Sequence, residues 1–194
     1  MKILFIASKF EADFFTEGLQ KVNNHYFEGD YHVLITGIGL VNMAISCTDF
    51  FTAFSPEPDD ELINIGIAGS VSPKIEIGSI FNPKCFSVYS SAQVPHSSQK
   101  IYEQAYPVID RGDVHLASSI TPVWGSEHVH KLKTENVSLL DMEAYSFASV
   151  CTKQNVPFQV YKAVSDHLIK RSQSEFVDNA SEALLKLKKM VLES

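Results

Sequence analysis

The feature that most constrains this chain is a series of short, continuously apolar segments separated by longer stretches in which apolar residues recur at helical spacing. A strand covered on both faces shows no polar side. Uninterrupted apolar runs bounded by turn residues therefore mark a mostly parallel or mixed central sheet with helices against it. The runs are Lys2 to Ala7, His32 to Thr36, Leu62 to Ile67, Ser79 to Ser90, Asp113 to Ser118, Ser138 to Asp141 and Phe158 to Val164. Helices are expected at Glu11 to Val22, Val41 to Ala53, Met142 to Lys153 and Glu175 to Leu192. The last keeps Phe176, Val177, Ala180, Leu184, Leu187 and Val191 on one stripe, and Ser172-Gln173-Ser174-Glu175 has capping-box spacing before it. Between Gln93 and Ile109, Pro95, Ser97 and Ser98 point to a loop and one short helix. No linker divides the 194 residues, so the expectation is an α/β fold in one domain.

Composition removes several function classes. A net charge of −7 disfavours a polyanionic partner, and basic residues cluster only at Lys186, Lys188 and Lys189, so no nucleic acid is expected. No apolar stretch approaches the roughly 18 residues of a membrane span. The apolar start ends at Ser8-Lys9, too soon for a signal peptide. The three cysteines, Cys47, Cys85 and Cys151, are widely spaced in apolar surroundings and read as buried free thiols of a reducing, cytoplasmic compartment. His96, His115, His128 and His130 lack the spacing of a metal site, so neither metal nor cofactor is expected.

In a sheet of this class, ligands gather at the carboxyl ends of the strands. Thr36-Gly37-Ile38-Gly39-Leu40-Val41-Asn42 is a glycine-rich strand-to-helix turn that could bring backbone amides to a ligand or simply turn tightly; as a dinucleotide fingerprint it fails, with Asn42 in place of the third glycine. Asn64-Ile65-Gly66-Ile67-Ala68-Gly69-Ser70 lets the backbone pass close either to a ligand or to packing neighbours. Asp141 and Glu143 follow an apolar strand, and Asp141 alone reads as a helix N-terminal charge. Asp166 closes another run, where a helix cap is the plain alternative, and Glu11 follows the first strand. Convergence of these carboxylates on one pocket would favour acid/base work over capping.

Together these segments resemble the purine nucleoside phosphorylase superfamily, and within it the 5′-methylthioadenosine/S-adenosylhomocysteine nucleosidase branch with its futalosine hydrolase-like members. The resemblance rests on the opening strand with Ala7 and Glu11, Thr36 to Asn42, Asn64 to Gly69, Asp141-Met142-Glu143, and Val156-Pro157-Phe158 leading to Ala163-Val164-Ser165-Asp166. It implies a twisted mixed sheet flanked by helices, a homodimer, and hydrolysis of the N-ribosidic bond of a small-molecule purine nucleoside. It also implies that Glu11 activates the attacking water, that Asp166 serves N7 of the departing purine with Ser165 orienting it, and that Met142 and Glu143 hold the ribose, with Ala68 and Gly69 at the substrate. Such a bond breaks with positive charge on the sugar and negative charge on the base, so a carboxylate near the ribose and a proton for the leaving nitrogen are what the chemistry needs; burial would keep that proton on Asp166.

A phosphorylase needs arginines in forked geometry, and Arg111 and Arg171, the two in this chain, lie outside the matching motifs, so water is the expected acceptor. A phosphate-dependent phosphorylase and a non-catalytic nucleoside-binding protein are the alternatives. Where the nucleosidases carry a small hydroxyl residue and an arginine, this chain has Ile67 and Lys162, both changes touching water positioning. The chain is also expected to lack the early hairpin before His32 and much of the segment between Val88 and His115. A more open 5′ side would admit futalosine or aminofutalosine beside methylthioadenosine and S-adenosylhomocysteine. Tyr89 and Trp124 are candidates to stack on the base.

Overall fold

The computed structural model describes residues 1–91, 98–169 and 173–193. Its elements in order are β1 (Lys2–Ile6), α1 (Lys9–Ala12), β2 (Gln20–Val22), β3 (His25–Glu28), β4 (Tyr31–Ile35), α2 (Leu40–Ala53), β5 (Glu61–Ser70), β6 (Ile80–Phe81), β7 (Cys85–Tyr89), α3 (Gln99–Ala105), β8 (Ile109–Asp110), β9 (His115–Ser119), α4 (Ser126–Thr134), β10 (Leu139–Asp141), α5 (Ala144–Gln154), β11 (Gln159–His167) and α6 (Gln173–Leu192). The strands form one mixed sheet in the order β2-β3-β4-β1-β5-β10-β9-β7-β8, with β11 pairing β5 and β6.

Strand β5 is central and buried on both faces. Leu62 and Ala68 join Met43 and Cys47 of α2 and Phe147, Ala148 and Cys151 of α5 in one core. Ile63 and Ile65 face Ala12 of α1 and Ala183, Leu184, Leu187 and Val191 of α6 in a second. Val129 and Leu132 of α4 close a third over Ala117 and Leu140. The unbroken apolar runs thus have the cause expected of them, a helical layer on each side.

Several expectations need correction. The stretch from Glu11 to Val22 is not one helix: α1 is a single turn, Gly18 takes a positive φ, and the chain enters a hairpin of β2 and β3 around Asn23, also at positive φ. The hairpin before His32 is therefore present. The run from Ser79 to Ser90 is split into β6 and β7 around Asn82-Pro83, since proline cannot donate to a ladder. The strand from Leu62 does not end at Ile67 but continues to Ser70, and α4 and β8 were not expected at all. Cys47 and Cys151 are buried free thiols, whereas Cys85 is only half-buried. The capping box before α6 and His96 lie outside the described residues.

Candidate active site

The site arises where β5 exchanges partners. Along one edge, β5 pairs with β1 from Lys2↔Glu61 to Ile6↔Ile65, and with β10 only at Leu140↔Gly69 and Leu139↔Ser70. Among the described residues, the backbone between them has no strand on that edge. The Ile67 amide there donates instead to Glu11 Oε1 at 3.2 Å. Glu11 reaches it because β1 leads directly into α1, whose Ser8 and Glu11 form a capping box: Ser8 Oγ accepts from Glu11 N at 3.2 Å, while Ser8 N and Oγ donate to Glu11 Oε2 at 3.1 and 2.7 Å. Glu11 is thus buried with donors on both oxygens. A Cβ on Gly66 would stand 2.8 Å from Glu11 Oε1 and 3.1 Å from Lys162 Nζ, which is why this strand position carries no side chain.

Glu143 enters at the head of α5 and is also buried. Its Oε1 accepts from Gly39 N at 2.8 Å. That turn, with Gly37 and Gly39 at positive φ, therefore gives an amide to Glu143. Burial pushes the Glu143 carboxyl up to about 7 and Asp141 adds to the push, while Lys162 and the Gly39 amide oppose it. Asp141 does what its position next to a helix suggests: Oδ2 accepts from Ala144 N at 3.0 Å, and Oδ1 accepts from Ser118 Oγ at 2.5 Å, whose oxygen in turn accepts from Tyr145 N at 2.9 Å. Lys162 Nζ stands 2.9 Å from Asp141 Oδ2. Burial works against the Lys162 charge, but Asp141, Glu143 and Glu11 outweigh it and hold its pKa above the ordinary lysine value.

Asp166 follows a β-bulge. The β11–β5 register runs Val164↔Ala68 and then Asp166↔Gly69, leaving Ser165 unpaired. The bulge re-aims both side chains, and Ser165 Oγ donates to Asp166 Oδ1 at 2.7 Å. Gly69 is bare for a local reason, since its Cβ would stand 2.3 Å from Leu168 Cδ2 and 3.5 Å from Asp166 Oδ2.

These groups border one cavity of about 590 Å³, within the usual range for a small-molecule site. Its wall contains Glu11, Ala68, Gly69, Met142, Glu143, Ser165 and Asp166, the residues to which the resemblance assigns a site role. Tyr89 and Trp124 are not in that wall. Tyr89 is buried with its hydroxyl 2.8 Å from His128 Nδ1, and Trp124 is 53% exposed. The wall's aromatic residues are Phe10 and Phe176, joined by Ile38, Pro122, Val123 and Leu168. Phe176 belonged to the apolar stripe of α6, but Phe10, next to Glu11 in the chain, carried no signal of its own. Arg111 lies elsewhere, over the Phe158 ring, and Arg171 lies outside the described residues. His115 bonds to Ser87, and among the described residues no cluster of three metal-ligating side chains forms.

Comparison with known proteins identifies the family. The family model of the phosphorylase superfamily matches residues 87–194. A 5′-methylthioadenosine/S-adenosylhomocysteine nucleosidase of Staphylococcus aureus is 30% identical over 162 residues, covering 71% of this chain and 69% of that protein. The fold is shared with the nucleosidase of the same name from Helicobacter pylori, at TM-score 0.76 and 21% identity over 100% of this chain and 99% of that one. It is shared equally with the futalosine hydrolase of Helicobacter pylori, at TM-score 0.74 and 21% identity over 100% and 98%. The fold, the order of the motifs along it and the match of more than half its length place this chain in the phosphorylase superfamily.

Proposed function

We propose that the chain is an N-glycosyl hydrolase, a single nucleoside phosphorylase-like domain that cleaves the N-ribosidic bond of a 5′-modified adenosine-type nucleoside with water. The observation that carries this reading is the convergence of Glu11, Glu143 and Asp166 on one cavity at the strand ends, each held by donors of its own. In the reaction, the bond between the ribose and the purine breaks with its electron pair moving onto the base. Asp166, oriented by Ser165, delivers a proton to N7. Water adds to the cationic sugar carbon and loses its proton to Glu11. Glu143 accepts hydrogen bonds from the ribose hydroxyls and Met142 packs on the sugar, so negative charge faces the carbon where positive charge develops. The 67 position works through its backbone: the Ile67 amide holds Glu11 while the side chain adds apolar wall. The named relatives act on methylthioadenosine and S-adenosylhomocysteine or on futalosine. The same compounds are proposed as substrates here.

A cytoplasmic homodimer belongs to the same proposal. Among the described residues no helix is long and apolar enough to cross a membrane. Ile38, in the cavity wall, is followed along α2 by Val41 and Ile45 at helical spacing, all more than half exposed, an apolar stripe suited to a second copy.

The test is base release from methylthioadenosine, S-adenosylhomocysteine, inosine and aminofutalosine, each with and without phosphate, with light scattering for the oligomeric state. Free base and free sugar without phosphate are expected. Strict phosphate dependence with a sugar 1-phosphate product would establish the phosphorylase, and binding without cleavage would establish a binding protein.

A further inference from the structure

Lys162 is the one buried cation beside a cavity walled by Glu11, Asp141, Glu143 and Asp166 among the described residues, and it reaches its partner by an unusual route. It pairs in register with Gly66 on β5, whereas Asp141 sits on β10 along the opposite edge of β5. The lysine stem therefore crosses β5 where the strand has no side chain, and a Cβ at Gly66 would stand 3.1 Å from Nζ. A lysine is not needed to satisfy Asp141, which already accepts from Ser118 Oγ and Ala144 N. What Lys162 adds to this place is charge.

We infer that Lys162 is a positioning residue for the sugar subsite: its ammonium, bridged across β5 to Asp141, favours the ionised form of Glu143, in which both oxygens accept hydrogen bonds. The inference rests on the nucleoside reading of the cavity and deepens it. The groups acting on Glu143 are Asp141 from β10, Lys162 from β11, Glu11 from α1 and the Gly39 amide just ahead of α2, with Asp166 of β11 in the same cavity wall. Burial and Asp141 drive Glu143 toward its neutral form, and Lys162 is the first of the two opposing influences. Once protonated, Glu143 still accepts from Gly39, but its other oxygen becomes a donor and a ribose hydroxyl loses an acceptor.

The sign follows directly. The ionised form binds sugar, so affinity rises with pH through the Glu143 titration. Removing the lysine charge moves that limb up in pH, and removing the Asp141 charge moves it down. The experiment measures KM for methylthioadenosine and, independently of turnover, the calorimetric Kd of the non-hydrolysable C-nucleoside formycin A, from pH 5 to 9. The proteins are the parent, Lys162→Met, Lys162→Arg, Asp141→Asn and Glu143→Gln, each checked by circular dichroism. In Lys162→Met the limb moves up by about 1 pH unit and affinity at pH 7 falls about fivefold, recovering at pH 9. Lys162→Arg keeps the limb in place, Asp141→Asn lowers it, and Glu143→Gln abolishes it. A folded Lys162→Met with the parental limb overturns the inference. If that variant does not fold, the isosteric Asp141→Asn decides, and a limb that stays or rises there overturns it equally. Formycin binding with these shifts but no turnover leaves the inference standing and removes the hydrolase reading. Turnover with an unmoved limb does the reverse.

Discussion

Gly66→Ala is the sharpest perturbation of this site, because one methyl group meets two charged atoms at once. The added carbon would stand 2.8 Å from Glu11 Oε1 and 3.1 Å from Lys162 Nζ, well inside the ordinary contact distance of about 3.5 Å. Neither end swings freely. Glu11 is tied to Ser8 and to Ile67 N, and Lys162 to Asp141. Relief requires Glu11 Oε1 to retreat by about 0.7 Å, and its 3.2 Å bond to the Ile67 amide is already long, so that bond fails first. A lost hydrogen bond to a charged group costs about 2 kcal/mol, which in a chain of this size lowers Tm by about 4–8 °C. A general base displaced by that much costs about 10- to 100-fold in kcat/KM. The assay is adenine release in phosphate-free buffer beside calorimetric melting, repeated in a Glu11→Gln background. If the damage runs through Glu11, Gly66→Ala adds little kinetic loss there. Activity within threefold of the parent, or a full additional loss in the Glu11→Gln background, would refute the reasoning.

The remaining expectations concern the other acids and their supports. Asp166→Asn and Glu11→Gln each lower turnover by about 10²- to 10⁴-fold while the far-ultraviolet spectrum is unchanged; near-normal turnover in either removes its assigned role. Because the Glu143 carboxyl is raised from 4.5 to about 7 on folding, the stability it contributes is fully present below pH 4.5 and is lost as pH rises through 7, about 3 kcal/mol in all. Denaturant titrations of parent and Glu143→Gln should therefore diverge with pH, and parallel curves would contradict the shift. Ser118→Ala removes the hydroxyl that donates to Asp141 and accepts from Tyr145 N, leaving a buried amide bare, and is expected to cost about 2 kcal/mol in the same titrations.

What the sequence made legible follows the physics of burial. Strands covered on both faces announced themselves as apolar runs, and acids just beyond them were conspicuous because burial leaves them little else to do. The β2–β3 hairpin did not announce itself, because Gln20, Lys21 and Val22 are all exposed and show no alternation; the one available signal was Asn23-Asn24, a tight-turn pair just beyond the helix expected from Glu11 to Val22. Helix α4 buries only Val129 and Leu132, too few for a pattern. At the site, Glu11, Glu143 and Asp166 could be named from their motifs, and Ser165 beside Asp166, but the partners of Glu11 and Glu143 could not. The bond from Glu11 to Ile67 and the bridge from Lys162 to Asp141 join distant parts of the chain, and only the partner exchange of β5 brings them together.

That exchange also leaves a reporter inside the proposed catalytic centre. In a continuous ladder the Ile67 amide would be locked by a neighbouring strand and would exchange with solvent only when the sheet opened. Here its protection depends on a single side-chain oxygen, and that oxygen belongs to the proposed general base. Whatever protonates or displaces Glu11 should therefore appear as faster deuterium uptake and a moved amide resonance at one identifiable backbone position, while the flanking residues of β5 stay silent. The engagement of the proposed general base can thus be followed without a substrate analogue or an inhibitor.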